Sequence, residues 1–189
     1  MELDDLAHAQ AAVGSLLAGL DADAWARSTP CDDWDVAGVA RHLVIGERAF
    51  VTSLGGAAYD LAAIRDEVLE IPTADLPTTY AVGARDLHLA LAAADVDATF
   101  PTGLGPMSAV AVTRLRMIEA LVHGWDLARG AGATLDVDDE VAERAIRHSL
   151  ALLERLPPER KVFGGPQPVA EDASAVDRLV ALLGRSVSG

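Results

Sequence analysis

The chain has 189 residues, 51% of them hydrophobic, and fifteen basic against twenty-nine acidic residues leave a net charge of −14. That is enough apolar material for one well-filled core, and so large an acidic excess repels phosphate backbones and anionic headgroups, which excludes nucleic acid and membrane surfaces as expected partners. With Cys31 as its single cysteine the chain has no intrachain disulfide and no cysteine-rich zinc site, so any metal must be held by histidine and carboxylate.

The N-terminus, MELDDLAHAQ, is acidic where a secretory signal is basic. Charges or Gly/Pro also interrupt every apolar run short of the ~18 residues that suggest a membrane span. The expectation is a soluble, cytoplasmic protein.

Leu3, Leu6, Val13, Leu17 and Leu20 fall near one face at about 100° per residue, which predicts a first helix over 3–20 with His8 on its solvated side. In STPCDDWDVAGVARHLVIGERAF, Thr29, Pro30 and Asp32 carry turn chemistry, and Asp35 is placed to cap a second helix over 36–54. A third helix is predicted over 77–94, opening near Pro77 and Thr78 and leaving His88 exposed. VDATFPTGLGPMSA is a Gly/Pro-rich loop, and a fourth helix follows over 108–129, stopped by Gly130 and Gly132.

A fifth helix fits 138–155 and ends at LPPER. Val141, Ala145, Leu152 and Leu156 form its apolar stripe, and His148 lies on the exposed side with Arg144 and Arg155. The tail, KVFGGPQPVAEDASAVDRLVALLGR, reads as an extended crossing segment and then a short helix from Ser174 to Leu183. The expected fold is all-α: a four-helix bundle with additional short helices, a bundle unit over 1–155 and a C-terminal extension over 156–189 that packs on it.

The chemistry concentrates in RMIEALVHGWDLA, residues 116–128. Arg116, Glu119, His123 and Asp126 fall within an arc of about 80° on a helix otherwise apolar on nearly every face, so the polar stripe points into the protein. Glu119 and His123, at i and i+4, can grip one ion between them; the same spacing also suits an ordinary ion pair on a wet face. A third ligand has to come from another element. His42 is the best placed histidine, sitting among Val39, Gly38, Gly46 and Ala49 while Arg41 and Arg48 mark the wet side; a core histidine bonded to a carbonyl is the plainer alternative.

Glu47, near the middle of the same apolar arc, can accept a hydrogen bond from a ligand histidine or pair with a bundle arginine. Cys31 lies beside Asp32 and Asp33 with no histidine near it in sequence, which favours a small buried hydrophobe over a nucleophile. Trp34 and Trp125 read as core anchors.

Three segments in order, TPCDDWDVAGVARHL, RMIEALVHGWDLARG and VFGGPQPVAEDASAVDRLVALLGR, resemble the mycothiol-dependent maleylpyruvate isomerase N-terminal family of the DinB-like metal-binding superfamily. The resemblance implies a DinB-like bundle holding a divalent metal, usually zinc, through one histidine of the second helix and a Glu-x-x-x-His pair of the fourth. On this chain those are His42, Glu119 and His123. It further implies mycothiol as co-substrate, with Asp126, Arg116 and Glu47 supporting the ligands or the thiol. The isomerases of the family carry an additional C-terminal domain, whereas this sequence ends in a tail of about thirty residues, the short form of the family.

Two nitrogens and a carboxylate leave a fourth position open on zinc, the pattern of a catalytic site. The expected function is therefore a thiol-dependent transferase or isomerase, in which the metal activates a low-molecular-weight thiol for attack on an electrophilic substrate. The alternative from another class is a non-catalytic metal-binding bundle with a stress or regulatory role, for which a homodimer is a natural assembly. A third reading is a metal-free bundle stabilised by Glu119–His123 pairing.

Overall fold

The computed structural model describes residues 2–57, 60–154 and 163–187. These contain seven α-helices: α1 (Glu2–Ala18), α2 (Val36–Leu54), α3 (Leu61–Leu69), α4 (Leu76–Ala93), α5 (Ala109–Ala131), α6 (Asp139–Leu153) and α7 (Ala175–Leu182). Helices α1, α2, α4 and α5 make the bundle, with α1 against α4 and α5, and α2 against the same two. No described helix is long and apolar enough to cross a membrane.

The core follows from the helical periodicities. Leu6, Val13 and Leu17 of α1, Val39 and Leu43 of α2, Tyr80 and Leu87 of α4, and Val112, Ile118 and Leu121 of α5 are all buried. Each such side chain contributes about 1.5–3 kcal/mol relative to exposure. His8 is exposed, as its side of α1 predicts.

Local signals set the helix ends that matter for the site. Asp35 accepts from the Gly38 amide at 2.7 Å and starts α2 at Val36. Ser108 caps α5, which runs to Ala131 before Gly132 turns the chain with φ of 71°. Gly130 does not stop the helix. A Cβ there would lie 2.9 Å from the Ser28 carbonyl oxygen and 3.0 Å from Thr29 Cγ2, so its bare backbone lets the 28–35 turn lie against α5.

Several expectations need correction. α3 was not anticipated, because Leu61 and Leu69 are exposed and only Val68 is buried, leaving no apolar stripe to read; Asp60 capping the Ala63 amide starts it. The Gly/Pro-rich loop holds a two-residue hairpin, Thr99–Phe100 paired with Met107–Ser108, too short to show alternation. His148 is partly covered, 3.9 Å from Glu2, because the N-terminus of α1 reaches across to α6. His88 is half-buried, on the helix that packs against α1. The predicted end of the fifth helix, with Arg155 and Leu156, falls outside the described residues.

Helix α7 lies against α5 and α6. Trp125 donates its indole N–H to Asp177 at 2.8 Å, Arg178 pairs with Glu143, and the Ala175 amide donates to Asp139 at 3.3 Å. The segment before it is extended, and Gln167 donates to the Ala181 carbonyl at 2.9 Å.

Replacing Gly130 by alanine forces the 28–35 turn off α5. Urea unfolding should show a loss of about 1–3 kcal/mol, the usual cost of overpacking. An unchanged midpoint would mean that this contact is not tight.

Candidate metal centre

α2 and α5 pack side by side. This places His42, from the middle of α2, opposite Glu119 and His123, one turn apart on α5. His42 Nε2 lies 3.0 Å from Glu119 Oε2, and His123 Nε2 lies 3.5 Å from the same oxygen. The two imidazoles meet edge to face, their centroids 4.6 Å apart at 68°. Exposure grades across the group, 32% for the His42 side chain, 17% for Glu119 and 10% for His123, so the opening to solvent lies beside His42.

Trp34 forms one wall. Its ring stacks on His42 with centroids 4.6 Å apart at 27°, and Gly38 makes this possible, since a Cβ there would lie 2.9 Å from Trp34 Cβ. The sequence reading of Trp34 as a core anchor misses this contact, because Trp34 precedes α2 in a turn whose direction the wheel does not give.

Beneath the trio lies a buried polar cluster. Arg116 donates to Glu47 Oε1 at 3.2 Å and to the Leu43 carbonyl at 3.4 Å; Gln10 donates to the same Glu47 oxygen at 2.9 Å. Glu47 therefore pairs with a bundle arginine and, among the described residues, hydrogen-bonds no histidine. Arg116 Nη1 stands 4.0 Å from Glu119 Oε2, placing positive charge behind the carboxylate. Glycine again supplies the space: a Cβ on Gly46 would lie 2.4 Å from Arg116 Nη1, and one on Gly83 would lie 3.0 Å from Glu47 Cβ.

On the other side, His123 Nδ1 lies 3.1 Å from Asp126 Oδ2, and Arg185 donates from Nε and Nη2 to the two Asp126 oxygens, both at 2.9 Å. With Nδ1 held by Asp126, His123 turns Nε2 toward Glu119 and His42, where it donates a proton to the carboxylate and would offer a lone pair to a metal once deprotonated. Arg185 could not be found from sequence, as it lies 59 residues from Asp126, past the end of the tail helix where no periodicity gives its direction. Cys31 is half-buried, and its sulfur, His123 and Asp126 offer donor atoms within 4.8 Å of one another. The absence of histidine near Cys31 in sequence was therefore a poor guide.

Ionisation follows from these contacts. Burial opposes charge on Glu119, but its hydrogen bonds with His123 and His42 outweigh that and hold its carboxyl well below the usual range. Burial also works against His123, yet its bonds to Asp126 and Glu119 raise its pKa. His42 is pushed down, chiefly by burial. Burial likewise opposes charge on Asp126, and the bonds from His123 and Arg185 win and lower it. Burial pushes the Cys31 thiol up.

Donor atoms of His42, Glu119 and His123 lie within 4.8 Å of one another. Ligands about 2.0–2.1 Å from a tetrahedral zinc stand about 3.3 Å apart. The spacings of 3.0 and 3.5 Å to Glu119 Oε2 straddle that figure, so this donor set fits a zinc-sized cation. The overlapping set of Cys31, His123 and Asp126 fits less well, because both Asp126 oxygens already face the Arg185 guanidinium.

A bundle carrying a His/Glu/His donor set between two adjacent helices defines a class of protein, and comparison with known sequences and structures gives the family within it. Residues 6–128 match the mycothiol maleylpyruvate isomerase N-terminal domain, and the chain belongs to that family. Over 185 residues it is 29% identical to uncharacterized protein Rv0738 of Mycobacterium tuberculosis, covering 96% of this chain and 97% of that protein. Uncharacterized protein Rv0036c of the same organism is 30% identical over 132 residues, 62% of this chain and 51% of that protein.

Among solved structures, a mycothiol-dependent maleylpyruvate isomerase superposes with a TM-score of 0.63 at 17% identity, and a mutant of that isomerase with 0.58 at 18%. Each superposition covers 77% of this chain and 66% of the other, so the likeness is one of fold over two thirds of a longer protein.

Two outcomes follow. Because the His123 pKa is raised, protons compete with a metal already above the ordinary histidine range, while Glu119 stays ionised throughout. Zinc affinity, measured by chelator competition, should fall about tenfold per pH unit once pH drops below the His123 pKa; a flat profile between pH 8 and 6 would contradict the ligand role. Replacing Arg116 by methionine strands the Glu47 charge in the core and should cost about 3–5 kcal/mol of unfolding free energy, whereas the paired change Arg116→Met with Glu47→Leu should recover most of it.

Proposed function

We propose that the chain binds a divalent metal, zinc first, through His42, Glu119 and His123, and works in the cytoplasm as a mycothiol-dependent enzyme acting on a small electrophile by S-transfer or isomerisation. One observation carries the metal reading: two imidazole nitrogens from different helices converge on a single carboxylate oxygen at 3.0 and 3.5 Å. Family membership supports mycothiol as the thiol.

His42, Glu119 and His123 would hold the zinc ion, which when bound would act as a Lewis acid that lowers the pKa of a thiol, so that thiolate is available at neutral pH. The chain's own residues do the rest. Glu119, kept ionised, provides the one anionic ligand. Asp126 holds the His123 Nδ1 proton and so fixes which nitrogen faces the site. Trp34 locks the His42 ring by stacking and lines the open side, where a thiol and an electrophile approach. Arg116 and Glu47 are too deeply buried to touch a thiol, and they support Glu119 from below.

A second reading has its own support. A wide groove of about 640 Å³, lined by Arg48, Thr52, Glu67, Thr79 and Asp86, shares no residue with the trio. A centre set away from this groove suits a bundle that binds metal without turnover.

The test is metal analysis of protein purified without added metal, alongside mycothiol consumption with a maleyl compound or a chlorinated aromatic. The wild-type chain should carry close to one equivalent, His42→Ala and Glu119→Gln should carry little, and thiol should be consumed only by the loaded wild type. Equal metal in all three would overturn the ligand assignment. Full loading with no thiol consumption would favour the non-catalytic reading.

A further inference from the structure

Two donor sets in this protein share one imidazole. His123 turns Nε2 toward Glu119 and His42 and Nδ1 toward Asp126, with Cys31 close by; each trio gathers its donor atoms within 4.8 Å. A neutral imidazole keeps one lone pair and one proton, so it serves one set at a time. Which set it serves depends on what holds Asp126.

We infer that Arg185 is a selecting residue: by covering both oxygens of Asp126 it closes the Cys31/His123/Asp126 set to metal and directs the cation to His42, Glu119 and His123. This rests on the metal reading above and concerns which of two adjacent places the metal takes.

The geometry for closure is complete. Asp126 is fully buried and its carboxylate meets the Nε and Nη2 edge of Arg185 at 2.9 Å on each oxygen, the bidentate pairing that arginine makes and lysine cannot. A metal binding there would have to displace a guanidinium from a buried carboxylate and remain beside that positive charge. Arg185 also balances the centre. Arg116 pairs with Glu47 and Arg185 with Asp126, so Glu119 is the carboxylate of the group that faces two imidazoles with no guanidinium in hydrogen-bond contact.

The C-terminal segment is built to deliver this one side chain. Trp125–Asp177 and Arg178–Glu143 hold α7 on α5 and α6. Gly184, at φ of 99°, then turns the chain, and a Cβ there would lie 2.5 Å from Gly164 Cα, so only glycine allows the two strands of the tail to touch. The Arg185 amide is tied to the Val180 carbonyl at 2.9 Å, and Arg129 donates to the Val187 carbonyl at 3.2 Å. Arg185 is thus fixed on both sides, and the extension becomes part of the centre.

Cobalt(II) loading of the full chain tests this, because thiolate ligation gives a sulfur-to-cobalt charge-transfer band that nitrogen and oxygen ligands do not. The wild-type chain should take up cobalt without the band, and Cys31→Ser should leave its spectrum unchanged. In Arg185→Ala the band should appear, metal should protect Cys31 from alkylation, and adding Cys31→Ser should abolish both effects. Arg185→Lys, which keeps the charge and covers one oxygen, should give a weaker band and stands in should the alanine variant misfold. Arg85→Ala removes an exposed arginine of α4 that pairs with Asp86, away from the tail, and should behave as wild type.

A thiolate band in the wild type, no band in either Arg185 variant, or the same band in Arg85→Ala would overturn the selecting role while leaving metal binding intact. A wild-type chain that takes up neither cobalt nor zinc would overturn the metal reading, and this inference with it.

Discussion

The structure depends on one carboxylate oxygen. Glu119 Oε2 is the point on which His42 and His123 converge, with the Arg116 guanidinium 4.0 Å behind it, and it lies between the two helices that the core presses together. A carboxylate so placed is stable only if it stays ionised and satisfied. The two histidines meet that condition with protons on their nitrogens, and a cation of the right size meets it as well. Folding therefore assembles a metal-shaped group of donors as a consequence of packing α2 against α5.

Holding that group costs stability elsewhere. Gly46 and Gly83 sit inside helices, where glycine is about 0.5–1 kcal/mol worse than alanine, and both are there to admit the Arg116–Glu47 pair. The pair itself leaves Arg116 Nε, Glu47 Oε2 and the Tyr80 hydroxyl without partners among the described residues. An all-apolar core at these positions would be more stable. The sequence instead keeps a fixed positive charge under Glu119 and a fixed negative one under that, which makes the bottom of the centre rigid and its charge definite.

Much of this was legible in the sequence, for reasons that particular residues make clear. Period-3.6 apolar stripes and the strong cap at Asp35 located the bundle helices to within a few residues. The inward-facing stripe of α5 identified Glu119 and His123, because carboxylate and imidazole on an apolar helix need a shared purpose. His42 followed from its small neighbours and from the family pattern. What stayed hidden was whatever tertiary contact alone decides. α3 lacks a stripe; Gly130 marks a close approach where a stop signal was read; Trp34, Cys31 and Arg185 reach the centre from turns and a tail whose directions no wheel encodes. Glu47 had two open readings, and only the position of Arg116 chose between them.

The extension gains a purpose from these contacts. The solved maleylpyruvate isomerase is longer than this chain, and the superposition covers 77% of this chain and 66% of the other. Here Arg185, near the end of the described residues, closes on Asp126 and so completes the surroundings of His123, and the bundle and its tail form a single electrostatic unit. Arginine in the tail, aspartate on α5 and histidine beside it make a relay that ends at the donor set.

The most direct test of the whole account is X-ray absorption at the zinc edge on the loaded full-length chain. The account predicts a first shell of nitrogen and oxygen alone at about 2.0–2.1 Å, with the outer-shell pattern of two imidazoles. A sulfur at about 2.3 Å, or the pattern of fewer than two imidazoles, would contradict it.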